Sequence, residues 1–311
     1  MKCLVTGASG FIGSYLVEFL LEKGHSVCAS GQTFGPRFPS LIGNVVISKG
    51  NIQDSDYLDA LLMKHDPEVI FHLAAQSSPG VSLYESELTF QINTIGTGNL
   101  LEAILRAKLK PRIILASSSA VYASTTSSEL INEDHPTDPS SPYGSSKLLS
   151  EKIAKSYTKK NELNIAITRP FFLIGPRKVE DVCSTFVRSI VAIERGHKSH
   201  IEIGNLNIVR DFLDVRDGIE ALYLVATEGV TGECYNICSG EGYPLRYVLD
   251  FLKEHSEYTV NEKIDRSRIR KIDEPVRIGD PTRIKKLGWS PLRSIESTLA
   301  EMLRYWREDT I

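Results

Sequence analysis

Apolar positions along the chain fall into two periods that alternate from the first residues onward. Lys2–Thr6 reads as a short buried strand, after which Phe11, Ile12, Leu16, Phe19 and Leu20 recur at helical spacing as far as Leu21. Strand-like runs return at His25–Ala29, Asn44–Ser48, Glu68–Leu73, Arg112–Ser117 and Asn164–Arg169. Helical segments lie between them at Ser55–Lys64, Glu87–Ala107 and Ser145–Lys159. Buried strands separated by helices of this length are βαβ units. The pattern predicts an α/β fold, a doubly wound parallel sheet with helices on both faces.

After Arg169 the rhythm changes. Ser184–Arg195 and Asp214–Thr227 read as helices, Glu233–Ile237 as a strand, and Leu245–His255 and Ser294–Trp306 as helices again. This predicts a sheet domain over residues 1–170, to which 205–230 return, and a smaller C-terminal α/β lobe made mainly from 171–311. In such folds a ligand sits at the carboxyl ends of the strands, where the second lobe would cover it and serve the substrate. Asn261–Lys286 is rich in Arg and Lys and is broken by Pro275 and Pro281, so it reads as solvated surface.

Composition narrows the classes. The 311 residues are 41% hydrophobic and 24% charged, as in an ordinary globular protein, and no apolar run approaches the ~20 residues of a membrane span. The opening MKCLVTGASG meets glycine too early for a secretory signal. Thirty-six Lys and Arg against 39 Asp and Glu give a net charge of -3, which disfavours a general nucleic-acid binder. The five cysteines, at 3, 28, 183, 234 and 238, form no C-x-x-C pair and read as reduced core thiols of a cytoplasmic protein. No metal is expected.

The first strand runs into Thr6-Gly7-Ala8-Ser9-Gly10-Phe11-Ile12-Gly13 and then a helix. Gly7 permits the tight turn, Gly10 lets backbone approach a pyrophosphate, and Gly13 lets helix pack on strand, while the helix N-terminus offers N–H groups to the phosphates. This predicts a Rossmann-type dinucleotide site. An NAD site usually carries an acid about 20 residues later, on the ribose hydroxyls. Here Ser30-Gly31-Gln32 stand at that strand end, with Arg37 just beyond. NADP(H) is therefore favoured over NAD(H).

Tyr143 and Lys147 stand four residues apart at a helix start, on one face. A free Tyr titrates near ~10. An ammonium fixed beside Tyr143 would draw its phenol toward neutrality and make it a general acid or base.

The glycine loop, Asn51-Ile52, His72-Leu73-Ala74-Ala75, Asn93, Ser118 with Tyr122, and Tyr143-x-x-x-Lys147 occur in one order. Together they resemble the extended short-chain dehydrogenase/reductase superfamily over nearly the whole chain. The resemblance implies that Ser118 is the catalytic hydroxyl, hydrogen-bonded to the substrate oxygen, with Tyr143 as proton donor. It implies that Lys147 also holds the nicotinamide ribose. Asn51, Ile52, Leu73, Ala74, Ala75 and Asn93 would join the glycine loop, Phe11 and Ile12 around the cofactor.

Residues 203–217 and 233–240 resemble the sugar-nucleotide branch of that superfamily, in particular the GDP-4-dehydro-6-deoxy-D-mannose reductases and related GDP-mannose dehydratases. By that resemblance Arg210 contacts the nucleotide, Arg270 the diphosphate and Asp273 the ribose, while Gln76 and Ser119 face the sugar. An ion pair of Arg210 with Asp211 or Asp214 is the alternative. Phe172 departs from the branch, which usually has a substrate-binding Asn there. Sugar-nucleotide 4,6-dehydratases carry acidic residues directly after the catalytic hydroxyl; Ser119 and Ala120 stand there instead. The expectation is an NAD(P)H-dependent 4-ketoreductase of a 6-deoxy, GDP-linked nucleotide sugar. The alternatives are an NAD-dependent 4-epimerase of the UDP-glucose type and a non-enzymatic NADP-binding regulator. The resemblance also implies a homodimer, built from the Glu87–Ala107 and Tyr143 helices of each subunit.

Overall fold

The computed structural model describes residues 1–35, 38, 45–125, 129–268 and 274–308. The chain opens with β1 (Lys2–Thr6), α1 (Phe11–Glu22), β2 (Ser26–Gly31), β3 (Val45–Lys49), α2 (Ser55–His65) and β4 (Val69–His72). Two short helices, α3 (Pro79–Ser82) and α4 (Ser86–Phe90), lead through a π turn at Gln91–Ile95 into α5 (Gly96–Arg106). Then come β5 (Arg112–Ala116), a 3-10 turn at Ser119–Val121, α6 (Pro142–Asn161) and β6 (Asn164–Pro170). These strands and one later strand, β11 (Cys234–Ile237), form a seven-stranded sheet in the order β11-β6-β5-β4-β1-β2-β3. Every neighbouring pair in it is parallel.

Alternation along the strands assigns the two faces. Cys3 and Val5 of β1 bury against Leu16, Val17 and Leu20 of α1 and against Ile219, Leu222 and Val225. Leu4 points the other way, with Leu58 and Leu62 of α2 and Leu100 and Ile104 of α5. The doubly wound sheet predicted from the sequence is thus present, with helices on both faces. Thr6, the last residue of β1, stands opposite Ser30 of β2 and His72 of β4. The strand order reverses there, and a crevice opens outside the carboxyl ends of the strands.

The remaining elements are β7 (Phe172–Ile174), α7 (Val182–Glu194), β8 (Ile201–Ile203), β9 (Val209–Arg210), β10 (Phe212–Asp214) and α8 (Val215–Glu228). After β11 follow β12 (Tyr243–Pro244), α9 (Leu245–Glu254), β13 (Glu262–Ile264), β14 (Val276–Arg277), α10 (Thr282–Lys285) and α11 (Ile295–Glu308). α8 packs on the main sheet, whereas α7, α9 and α11 enclose a second apolar core around Phe186, Ile190, Leu249, Leu299 and Met302. The small sheets β12-β9-β14 and β13-β8 complete that lobe. Among the described residues no helix is long and apolar enough to cross a membrane. All five cysteines are buried and free.

Three segments depart from the sequence pattern. The helix expected over Glu87–Ala107 is broken by the π turn, where the Thr97 hydroxyl donates to the Asn93 carbonyl at 2.6 Å and the Thr94 hydroxyl to that of Ser146 at 3.1 Å. α6 starts earlier than apolar spacing suggests, because Pro142 opens the helix and the Ser141 side chain caps it by accepting from the Gly144 N–H. Tyr143 is thereby inside the first turn. Within 261–286, read as solvated surface, the described residues include two strands, and Arg277 of β14 is buried.

Candidate active site

The glycine loop fits a dinucleotide for steric reasons visible at each position. Gly7 has φ of +70°, and a Cβ there would stand 2.7 Å from the Ala74 amide nitrogen, so β1 and the end of β4 meet backbone to backbone. A Cβ on Gly13 would lie 2.2 Å from the Gly7 carbonyl oxygen, so α1 can pack this close only through glycine. Gly10 is the N-cap residue and places no side chain on the first-turn N–H groups. These donors and the helix dipole therefore face the crevice, as pyrophosphate binding requires. Phe11 and Ile12 are half-buried on that turn.

His72 braces this end of the sheet. Its Nδ1 is 2.7 Å from the Thr6 hydroxyl and its Nε2 is 3.0 Å from that of Thr97, and burial pushes its pKa down to about 3. It is a neutral tie between β1, β4 and α5. Asn51 is half-buried and turns its side chain onto Gln53, while Ile52 is buried against Gly96 of α5. Leu73, Ala74 and Ala75 line the exit of β4, half-buried.

Asn93 sits in the π turn, and its amide is fully engaged. Its Oδ1 accepts from the Gln76 N–H at 2.8 Å, and its Nδ2 donates to the Gln76 carbonyl at 3.0 Å and the Ser146 hydroxyl at 2.9 Å. The contacts therefore make it a brace between the loop after β4 and the helix of Tyr143. Ser82 strengthens that brace by accepting from the Tyr143 N–H at 3.2 Å.

Ser118, Tyr143 and Lys147 converge at the carboxyl end of β5. The Ser118 hydroxyl faces the Tyr143 phenol closely enough to act on its proton and accepts from the Ala120 N–H at 3.1 Å. Gly144 allows this approach: a Cβ there would sit 2.3 Å from the Ala120 carbonyl oxygen. Lys147 lies one helical turn beyond Tyr143, and its Nζ donates to the Ala116 carbonyl at 2.8 Å. Burial lowers the Lys147 pKa to about 8, against the pull of the Glu151 carboxylate.

One sequence expectation is corrected here. Burial raises the Tyr143 pKa above its ordinary value, and Ser118 acts against that shift. Lys147 spends its ammonium on the β5 carbonyl. The fold thus holds Tyr143 as a neutral phenol, the protonation state of a proton donor.

Beneath the pair lies a buried polar network that sequence reading missed. Arg169 of β6 forks onto Glu151 of α6 at 2.9 and 2.6 Å, and the Ser117 hydroxyl donates to the same carboxylate at 2.5 Å. A fully paired ion pair of this kind fixes helix α6 on the sheet, where losing one partner would strand a buried charge. The only signal in the sequence is the acid one turn after Lys147.

On the substrate side, Arg210 extends from β9 with its guanidinium 5.4 Å from the Phe172 ring centroid and donates to the Val209 carbonyl at 2.8 Å. Phe172 also packs on Phe212, so the ring standing where an Asn was expected forms an aromatic floor for Arg210. Neither acid offered as its ion-pair partner takes that role. Asp211 accepts from Ser239 N–H and Oγ and from the Gly240 and Gly279 N–H groups, while Asp214 takes Arg216 and Thr298. Gln76 is half-buried beside the site, and Ser119 is buried in the 3-10 turn. Arg37, Arg270 and Asp273 lie outside the described residues. Among the described residues no group of His, Cys, Asp or Glu is arranged to hold a metal ion.

The family model described as GDP-mannose 4,6 dehydratase matches residues 4–302. The chain is 28% identical to the GDP-6-deoxy-D-mannose reductase of Pseudomonas aeruginosa, over 98% of this chain and 97% of that one. Its fold superposes on the solved structure of RMD from Pseudomonas aeruginosa complexed with NADPH, with a TM-score of 0.86, 26% identity and 98% of each chain covered. It also superposes on the UDP-glucose 4-epimerase of Thermus thermophilus in complex with NAD, with a TM-score of 0.90, 26% identity and 99% of each chain covered.

Proposed function

The chain belongs to the GDP-mannose 4,6 dehydratase family, and from that membership we propose that it reduces the 4-keto group of a 6-deoxy, GDP-linked nucleotide sugar. It is an NAD(P)-dependent oxidoreductase. The observation that carries the reductase reading is the turn after Ser118. Water loss from a sugar needs an acid and a base beside the catalytic hydroxyl, and Ser119 and Ala120 supply neither. Carbonyl reduction needs only a hydrogen bond to the ketone oxygen and a proton for the alkoxide, which Ser118 and Tyr143 provide.

A reduced nicotinamide, when bound, supplies the hydride that reaches C4. Ser118 Oγ, held by the Ala120 N–H, keeps its own proton to donate to the ketone oxygen as negative charge grows there. Tyr143 then gives its phenol proton to the alkoxide, and its raised pKa keeps that proton in place until the alkoxide forms. Lys147, with a pKa near 8, is mainly ammonium at neutral pH, and its positive charge stands one turn from the phenolate left when Tyr143 gives up its proton.

Gly7, Gly10, Phe11, Ile12 and Gly13 hold the pyrophosphate in this reading, Lys147 the nicotinamide ribose, and Asn51, Ile52 and Leu73–Ala75 the rest of the cofactor, with Asn93 bracing that wall. Arg210 holds the nucleotide, with Arg270, Asp273, Gln76 and Ser119 as further substrate residues. Residues 1–170 with 205–230 form the cofactor half, and the remainder of 171–311 the substrate half. NADPH is favoured over NADH because β2 ends in Ser30 and Gly31, with no carboxylate to repel a 2′-phosphate. The Ser30 hydroxyl is instead taken by Tyr57 at 2.8 Å. Buried reduced thiols support a cytoplasmic setting. The exposed apolar face of Leu88, Ile95 and Leu149 supports a homodimer.

The second reading, a UDP-glucose-type 4-epimerase, uses the same three residues, and its support is the epimerase superposition. Steady-state assays separate the two. With a GDP-4-keto-6-deoxy sugar, NADPH absorbance should fall stoichiometrically and faster than that of NADH. Unchanged absorbance, with UDP-glucose and UDP-galactose interconverted without added cofactor, would replace the reductase by the epimerase.

A further inference from the structure

Arg277 is 6% exposed, although it belongs to a cation-rich stretch. It lies on β14, in register with Arg210 of β9 in the smaller lobe. Its Nε donates to Glu274 Oε2 at 2.5 Å, and its Nη1 donates to the Ser119 carbonyl oxygen. A longer contact, 3.5 Å, joins Nη2 to the Tyr122 carbonyl. The Glu274 carboxylate in turn accepts from the Thr125 N–H at 3.2 Å. A cation from the substrate lobe is therefore built into the turn that follows the catalytic serine.

The carbonyl it binds belongs to the Ser119–Ala120 peptide. The N–H at the other end of that same peptide donates to Ser118 Oγ at 3.1 Å. A guanidinium on a carbonyl oxygen polarises the amide, and hydrogen bonds in a chain strengthen one another where water is excluded. The Ala120 N–H becomes a stronger donor, and an Oγ that accepts a stronger bond has a more acidic hydroxyl. α6 packs on the next peptide of the turn, where the Ala120 carbonyl oxygen would lie 2.3 Å from a Gly144 Cβ.

We propose that Arg277 is a positioning residue for Ser118, which it orients and polarises through the Ser119–Ala120 peptide. The hydrogen-bond donor for the substrate oxygen is thus adjusted by a strand of the substrate lobe. The inference rests on Ser118 serving as that donor, as stated under Proposed function.

The test is a double-substitution cycle on the full-length protein: Arg277→Met, Ser118→Ala and the two together, assayed as NADPH-dependent reduction. Arg277→Met should lower kcat about tenfold, less than the ~100-fold or more that follows direct loss of an oxyanion donor. The KM for NADPH should stay unchanged, and Arg277→Lys should recover part of the loss. In the Ser118→Ala background, Arg277→Met should cost nothing further, because the two act in series. Equal losses in both backgrounds, or a change confined to KM, would overturn the proposal and leave Arg277 a structural pin. A Ser118→Ala protein with full turnover would overturn the reading of the site itself, and this inference with it. Should Arg277→Met fail to fold, with Glu274 left unpaired, Arg277→Lys carries the same cycle. Lysine keeps the charge and loses the fork, so its smaller kcat loss should again vanish without Ser118.

Discussion

The proton-donor role proposed for Tyr143 rests on where its hydroxyl is held. Burial keeps the phenol protonated, the Ser118 hydroxyl meets it, and Lys147 waits one turn away on the β5 carbonyl. Removing that one oxygen should therefore remove proton transfer and little else. Tyr143→Phe is expected to lower kcat by about 10²–10⁴-fold, while fluorescence titration finds NADPH bound as tightly as before. Full turnover by that variant would remove Tyr143 from the mechanism. The residue types and their spacing were legible in the sequence, since Tyr143, Lys147 and Ser118 stand in a motif. The direction of the Tyr143 shift was not. It depends on how dry the cleft is and where the lysine points, and both follow from packing of distant segments.

Among the elements, local signals fared best where strands are buried and helices regular. β1, β4, β5 and β6 came through because continuous apolar runs have few other homes in an α/β sheet. The break between α4 and α5 left no mark on apolar spacing. It arises because Thr94, Asn93 and Thr97 bond across to Ser146 and within their own turn. Arg277 was hidden for a similar reason: one buried cation among many looks like its solvated neighbours until Ser119 and Glu274 are seen around it. The same helices leave Leu88, Ile95 and Leu149 exposed, at 42%, 56% and 42%, on one side of the sheet. The proposed homodimer would cover that face with a second copy. Sedimentation velocity should find the chain dimeric and the Ile95→Glu variant monomeric with unchanged circular dichroism. A wild-type monomer at micromolar concentration would contradict the pairing.

For the whole molecule, the parallel sheet brings the glycine loop, Ser118 and Tyr143 to its carboxyl edge, and the second lobe brings Arg277, in register with Arg210, onto the turn after Ser118. Under the proposed function, cofactor and sugar would be held by different halves, with the transfer between them at the seam. The measurement that tests this most directly uses NADPH deuterated at C4 of the nicotinamide, a GDP-4-keto-6-deoxy sugar, and NMR of the product. The account predicts one deuterium at C4 of the sugar for each NADPH oxidised, and none elsewhere on the ring. A product carrying only protium at C4, or one formed without loss of reduced cofactor, would contradict it.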